Sequence, residues 1–283
     1  QKYTVTVIDD LSTGKIDNIN PAANFINHDI SKPLPYYLKK SLNQIDYVFH
    51  LAAFARVEPS IQRPTFSNTI NVSGTVELLH ACAQANVSKF VLTSSSAVYG
   101  DAKKFPVSEK AKISPMSPYG LQKYVAEEYC KLFASIYNLP CTVLRYANVY
   151  GPRQPLTGSY CNVMGIFTNQ CKEGQPLTIV GDGTNSRDYI HVKDVVNANI
   201  LCTEVESLKD FEVINIGSGI DYTVNDIAKM ISNKTINIPE RIEPKKTLLD
   251  SRKALKLLGW EPTINLKDWV KEYKKEQGIY AKN

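Results

Sequence analysis

Tyr119 and Lys123 stand four residues apart in Ser117-Pro-Tyr-Gly-Leu-Gln-Lys123, behind a Ser-Pro pair able to cap and start a helix. On a helix, residues four apart share one face. An ammonium close to a phenol favours the phenolate and draws its pKa from about 10 toward working pH. A tyrosine so placed is a general base for an alcohol or sugar hydroxyl. Some two dozen residues upstream, Phe90-Val-Leu-Thr-Ser-Ser-Ser-Ala-Val-Tyr-Gly100 crowds serines at the exit of an apolar run. Hydroxyls there enter the crevice at the carboxyl ends of strands, where open α/β sheets bind ligands. Ser95 is the candidate partner of Tyr119. A lone Tyr-x-x-x-Lys is a common surface pair, and the serine run is what turns it into a catalytic reading.

A second candidate is Asp9, in Val7-Ile-Asp-Asp-Leu-Ser-Thr-Gly14. A carboxylate at the end of the second strand of a doubly wound sheet accepts the ribose hydroxyls of adenosine and repels a 2′-phosphate. Asp9 therefore suggests NAD over NADP; capping the next turn is the alternative role.

The elements that must position these groups follow from the apolar patterns. Residues 3–8 (YTVTVI), 47–51 (YVFHL), 89–93 (KFVLT) and 141–145 (CTVLR) read as strands, with helices predicted over 65–84 and 118–137. Strand, helix and strand in alternation mean right-handed crossovers and a doubly wound parallel α/β sheet covered on both faces. Residues 147–162, rich in Gly, Pro, Asn and Tyr, read as a long functional loop. Beyond it we expect helices over 163–172, 192–203, 224–232, 252–258 and 266–278, and strands over 177–180 and 212–216. This divides the chain into a dinucleotide-binding lobe, 1–155, re-entered near 181–205, and a smaller C-terminal α/β substrate lobe, mainly 156–283.

Composition narrows the class further. The chain has 283 residues, 43% hydrophobic and 22% charged, which excludes disorder, collagen and a disulfide-stapled miniprotein. No window reaches the 18 or so apolar residues of a transmembrane helix, so no membrane partner is expected. The net charge of +5 lacks the dense basic stripe of a nucleic-acid binder, and helical solvated faces account for it. The six cysteines form no Cys-x-x-Cys pair and the four histidines are scattered, so no metal site is expected. Cys82, Cys130 and Cys202 fall on apolar helix stripes, which favours a reducing cytoplasm.

The motifs together resemble the extended short-chain dehydrogenase/reductases, and among them the NAD-dependent nucleotide-sugar epimerases and dehydratases of the UDP-glucose 4-epimerase group. The resemblance rests on Asp9-Asp-Leu-Ser-Thr-Gly14, His28-Asp29-Ile30, His50-Leu-Ala-Ala53, Asn71-Val-Ser-Gly-Thr75, and Ser95 with Tyr119 and Lys123. It continues through Leu144-Arg-Tyr-Ala-Asn-Val-Tyr-Gly-Pro152, Arg187-Asp-Tyr-Ile-His-Val192 and Leu257-Leu-Gly-Trp-Glu-Pro262. It implies a Rossmann-type lobe in which Asp9, Asp10, Leu11, Ser12, Thr13 and Gly14 hold the adenosine half of NAD and Asp29 and Ile30 flank the adenine. Leu51, Ala52, Ala53 and Asn71 would line the dinucleotide. Lys123 would bond the nicotinamide ribose, with Tyr146 and Ala147 at the nicotinamide pocket. For a UDP-sugar substrate it implies Asn148, Asn162, Val163 and the edge Thr178, Ile179, Val180, with Arg187 and Arg241 as diphosphate and ribose clamps, in the second case within Glu240-Arg-Ile-Glu243. Guanidinium forks suit bidentate phosphate contacts.

The implied cycle has Tyr119 taking the proton of the sugar 4-hydroxyl beside Ser95, the C4 hydride passing to NAD, and hydride returning to the opposite face of a 4-keto sugar. Related 4,6-dehydratases carry Thr-Asp-Glu where this chain has Ser95-Ser96-Ala97, so elimination lacks its acid and base. Thr247 falls where narrow epimerases carry a bulky tyrosine, so UDP-GlcNAc/UDP-GalNAc is expected beside UDP-Glc/UDP-Gal. UDP-glucuronate 4-epimerisation stays open, as does a noncatalytic nucleotide-binding scaffold. The family's usual homodimer, a four-helix bundle, would use the helices at 65–84 and 118–137.

The dinucleotide glycine fingerprint belongs about 20 residues before the ribose-binding acid, and Asp9 has eight residues in front of it. The expectation is a protein longer by roughly two to three dozen residues, with the glycine loop and first strand upstream. NAD binding should fail if the gene begins here.

Overall fold

Short β-branched and aromatic runs form the strands, and a computed structural model describes residues 3–158, 160–240 and 243–279. In chain order the first half runs β1 (Thr6–Asp9), β2 (Asn24–Asn27), α1 (Tyr36–Leu42), β3 (Tyr47–His50), α2 (Val57–Gln62), α3 (Pro64–Asn68), α4 (Thr75–Gln84), β4 (Lys89–Ser95), α5 (Pro118–Ile136) and β5 (Cys141–Tyr146). The second half adds β6 (Asn148–Tyr150), α6 (Val163–Lys172), β7 (Leu177–Val180), β8 (Ser186–His191), α7 (Val192–Glu204), β9 (Phe211–Ile216), β10 (Asp221–Thr223), α8 (Val224–Ile231), β11 (Thr235–Ile238), α9 (Arg252–Leu258) and α10 (Leu266–Glu276).

The main sheet is all parallel, in the order β3-β4-β5-β9. All six residues of β5 are buried, as a strand covered on both faces requires. Alternate residues point to opposite faces, and two cores result. Val91, Leu144 and Ile214 pack with α7 and α9 residues and Trp260. Phe90, Leu92 and Val143 pack with Leu79 and Cys82 of α4 and Cys130 and Phe133 of α5. β1 and β2 form a separate parallel pair outside the main sheet. Tyr47 and Phe49 on the edge strand β3 are 37% and 39% exposed.

The predicted helix over 65–84 is helical from Pro64 through Gln84, interrupted by a wider π turn at Thr69–Gly74. There the chain passes so close that a Cβ on Gly74 would sit 2.9 Å from the Ile30 carbonyl oxygen. The loop expected over 147–162 contains β6, which pairs with β8. β2, β8, β10 and β11 are unforeseen by pattern. β8 reads SRDYIH, and its Asp188, 0% exposed, accepts from Ser218 N (2.8 Å), Ser218 Oγ (2.8 Å) and Leu249 N (3.1 Å). Such a strand becomes legible only once its partners are in place.

The C-terminal elements carry a third core of Tyr150, Met164, Phe167, Leu177, Ile179, Tyr189 and Ile227. It is bounded by the sheet β10-β8-β6 and the pair β11-β7. Among the described residues no helix is long and apolar enough to cross a membrane.

Candidate active site

β4 ends in Thr93, Ser94 and Ser95, and the chain then turns through a single 3-10 turn, Ser96–Tyr99, which Ser95 caps by accepting from Ala97 N at 3.2 Å. Ser117 caps α5 by accepting from Gly120 N at 3.1 Å, and Pro118 supplies its first residue. Tyr119 is further seated by its own N–H, which donates to Ser60 Oγ of α2 at 3.1 Å. The Ser95 side chain lies close enough to its hydroxyl to lower the Tyr119 pKa. The structure thus brings Ser95, Tyr119 and Lys123 together at one strand end.

The electrostatics differ from the expectation in one respect. Burial pushes the Tyr119 hydroxyl above its ordinary value, and the Ser95 side chain and the Arg56 cation pull it back. Lys123, 4% exposed, gives its ammonium to the Thr93 carbonyl at 2.8 Å. Burial lowers Lys123 to about 8, while Glu127 holds it up. The cation acting on Tyr119 is therefore Arg56, at the start of α2, whose guanidinium lies 5.8 Å from the Tyr160 ring centroid. No carboxylate among the described residues pairs with Arg56. Arg56 and Glu127 were both missed. Glu127 was findable, since it follows Lys123 by the same four residues that separate Lys123 from Tyr119.

At the end of β1, Asp9 Oδ1 accepts from Leu11 N at 2.7 Å, and Leu11 adopts φ 55°. Asp10 accepts from Ser12 N (2.9 Å) and Oγ (2.6 Å). Past Thr13 the chain returns at Gly14, where a Cβ would stand 3.3 Å from Asp9 Oδ1, so a bare glycine leaves the carboxylate open. Asp29 accepts from Ser31 N at 2.8 Å, and Ile30 is buried under Gly74. Leu51 and Ala52 form an exposed ledge after β3, with Ala53 half-buried. Asn71 is 3% exposed and clasps the following loop: it accepts from Phe54 N (2.7 Å) and donates to Phe54 O (3.2 Å) and Gln122 Oε1 (2.8 Å). Tyr146 OH accepts from Asn199 Nδ2 (2.6 Å) and Thr93 Oγ1 (3.3 Å), and Ala147 is bonded to Ile216 O at 2.9 Å. An acid for the adenosine ribose, an apolar ledge and a buried ammonium at successive strand ends fit a dinucleotide. Among the described residues no glycine-rich turn leads from a strand into a helix. The fit therefore covers the adenosine and nicotinamide ends.

The substrate-side candidates form smaller groups. Asn148 is exposed on β6. Asn162 caps α6 ahead of Val163, accepting from Gly165 N (2.9 Å) and donating to Gln154 Oε1 (3.0 Å). Gln170 already engages Thr178, giving to its Oγ1 at 2.9 Å and accepting from its N at 3.1 Å. Ile179 is 2% exposed in the lobe core, and Val180 is half-buried. Arg187 pairs with Glu243 at 2.9 Å. Thr247 lies beside them, its N–H donating to Ser186 O at 3.1 Å and its buried hydroxyl oxygen without a partner among the described residues. Arg241 lies outside the described residues. Among the described residues no cluster of three His, Cys, Asp or Glu could hold a metal ion.

A parallel sheet covered on both faces, an acid at one strand end and a Ser–Tyr–Lys group at another define a dinucleotide-linked α/β enzyme of the short-chain dehydrogenase/reductase type. The chain belongs to the NAD dependent epimerase/dehydratase family, whose sequence profile matches residues 1–217. It is 38% identical over 278 residues to a putative UDP-glucose 4-epimerase of Methanocaldococcus jannaschii, covering 95% of this chain and 88% of that protein. Its fold matches the crystal structure of UDP-glucose 4-epimerase with UDP-glucose from Thermotoga maritima at a TM-score of 0.88 and 38% identity, over 97% and 92% of the two chains. It also matches a UDP-glucuronic acid 4-epimerase from Bacillus cereus in complex with UDP-glucuronic acid and NAD at 0.85 and 34% identity, over 98% and 92%.

Proposed function

We propose that this chain is an NAD-dependent UDP-sugar 4-epimerase acting on UDP-glucose and UDP-galactose, and on UDP-GlcNAc and UDP-GalNAc as well. The observation that carries the reading is the Ser95–Tyr119–Lys123 group at the end of β4, with Ser96 and Ala97 offering no carboxylate for elimination. Held by the residues assigned to the dinucleotide below, NAD would supply the hydride acceptor and donor for C4. Tyr119, as phenolate, accepts the proton of the 4-hydroxyl and later gives it back. Ser95 shares a hydrogen bond with the same oxygen, and Arg56 favours the ionised form of Tyr119. Asp9 to Gly14, Asp29, Ile30, Leu51 to Ala53, Asn71, Lys123, Tyr146 and Ala147 are assigned to the dinucleotide. Asn148, Asn162, Val163, Thr178 to Val180, Arg187, Arg241, Glu243 and Thr247 are assigned to the nucleotide sugar. In this reading Arg187 exchanges Glu243 for diphosphate oxygens. The small side chain of Thr247, where a bulky tyrosine would narrow the site, supports room for an acetamido group.

Residues 1–155 with the return at 181–205 then hold the cofactor, and 156–283 mainly the sugar. We further infer a cytoplasmic homodimer through α5 and the 64–84 helical run. The outward residues Leu121, Leu132 and Ile136 of α5, 51%, 49% and 64% exposed, support it.

The test is a coupled assay of UDP-galactose formation from UDP-glucose, with Tyr119→Phe alongside. A fall in kcat of about 100-fold or more is expected for the variant. Undiminished turnover in Tyr119→Phe sinks the catalytic assignment, and absence of GlcNAc-to-GalNAc conversion removes the broader substrate range. Light scattering after size exclusion reads the oligomeric state, and a monomer at micromolar concentration counts against the bundle.

A further inference from the structure

Behind Ser95, Tyr119 and Lys123 lies a second polar layer that the steps above do not use. Glu127 is 1% exposed, Arg145 4%, Ser94 2%, Tyr99 3% and Asn215 0%. The Glu127 carboxylate accepts from Arg145 Nε at 3.0 and 3.2 Å, from the same guanidinium's terminal nitrogen, and from the Ser94 hydroxyl. Arg145 also donates to Tyr99 OH at 2.8 Å, Tyr99 donates to Asn215 Oδ1 at 2.7 Å, and Asn215 Nδ2 donates to Val107 O at 2.9 Å. One chain of bonds thus ties α5, β4, the turn after it, β5 and β9.

A buried ion pair is by itself weak evidence of stabilisation, because an apolar pair of the same volume would often serve as well. The address of this one argues for more. Tyr119, Lys123 and Glu127 succeed one another at four-residue steps and so lie on one stripe of α5. Ser94, which Glu127 holds, sits between Thr93, whose carbonyl takes the Lys123 ammonium, and Ser95, whose side chain lies beside the Tyr119 hydroxyl.

We propose that Glu127 is a positioning residue of the Ser95–Tyr119–Lys123 centre: it pins the end of β4 to α5 and supplies negative charge to the buried Lys123 ammonium. The groups facing Lys123 leave that task to Glu127. From β3 comes His50, which burial lowers to about 3, so it is neutral with Nε2 against Thr75 Oγ1 of α4 at 2.8 Å. From β4 come only the Thr93 carbonyl and Ser94. From β5 comes the Tyr146 hydroxyl, bonded to Thr93 and Asn199, while Arg145 of that strand turns its guanidinium to Glu127 and Tyr99. On α5 itself stand Tyr119 and the Cys130 thiol, which burial pushes well up and keeps protonated. Burial lowers Lys123 while Glu127 holds it up, so losing the carboxylate should release the proton at lower pH.

The kinetic part of this inference rests on the epimerase reading, and the titration part does not. Glu127→Gln preserves shape and an acceptor for Ser94. With lysines carrying 13C at Cε, NMR should show the Lys123 midpoint at least about one pH unit lower in the variant. The alkaline limb of kcat/KM should move down with it, with kcat about tenfold lower and KM little changed. A variant that only melts earlier, with midpoint and pH profile unmoved, makes the pair structural and overturns the proposal. If Glu127→Gln does not fold, the double variant Glu127→Gln with Arg145→Met removes the stranded arginine, and the same downward shift is required of it. Ser94→Ala cuts the tie while keeping the charge: kcat should fall several-fold with the Lys123 midpoint unchanged, and full activity there refutes the pinning. If the wild type epimerises no UDP-sugar, the functional reading fails while the NMR comparison still decides the role of Glu127.

Discussion

Arg56 shows how one side chain can set the chemistry of another. Its guanidinium lies against Tyr160 and near Tyr119, and its charge opposes the upward push that burial gives the Tyr119 hydroxyl. Replacing it by Met should make the phenolate harder to form. The acid limb of kcat/KM must then move to higher pH, with activity near neutrality down by about tenfold. A pH–rate profile checks this, and an unmoved acid limb removes Arg56 from the reaction. Ser95→Ala should lower kcat by about 100-fold, the usual effect of deleting one hydrogen-bond partner of a reacting oxygen. Steady-state kinetics with unchanged nucleotide binding would separate that loss from misfolding.

Between elements, the site depends on how closely α5 meets the turn after β4. A Cβ on Gly120 would stand 2.7 Å from the Ala97 carbonyl oxygen and 3.2 Å from Pro115 Cβ. Backbone cannot swing aside as a flexible side chain can, so Gly120→Ala should push the first turn of α5 outward and carry Tyr119 with it. A destabilisation of about 1–3 kcal/mol in urea unfolding is expected, with a loss of kcat larger than that of the neighbouring exposed Leu121→Ala. Equal kinetics in the two variants would show that the contact does not govern Tyr119. The loop after β3 has a different fastening. Asn71 holds Phe54 by two bonds and Gln122 by a third, so Asn71→Ala should cost about 1–3 kcal/mol through the polar groups it strands. Hydrogen exchange at Phe54 N–H should then accelerate.

Across the whole molecule, buried neutral groups set the acid limit. His50 is 3% exposed and lowered from 6.5 to about 3, so the folded protein resists a proton that the unfolded chain accepts readily. Between those two values the unfolded state binds more protons. Stability is therefore retained above pH 6.5 and lost as pH falls toward 3, by about 5 kcal/mol at about 1.4 kcal/mol per pH unit. His50→Gln keeps a partner for Thr75 without a titrating ring, and urea midpoints measured from pH 7 to pH 4 should fall less steeply than in the wild type. Parallel slopes would place the acid sensitivity elsewhere.

Local spacing was enough for much of this protein. Val163–Lys172, Leu177–Val180 and Arg252–Leu258 stand where apolar periodicity puts them, and Ser117-Pro118 starts α5 so that Tyr119 and Lys123 share a face. These features depend on residues within a turn or two of one another, and the sequence by itself determined them. The polar strand β8, the separate ladder of β1 and β2, and the occupation of Thr178 by Gln170 depend on partners brought together only by folding. The charges behave likewise. Lys123 faces Thr93 rather than Tyr119, Arg56 takes the place expected of it, and Glu127 meets Arg145 from 18 residues away. Side-chain type and spacing name the acids and bases. Burial and long-range pairing decide which charge each one meets, because only the folded interior removes the water that would screen them.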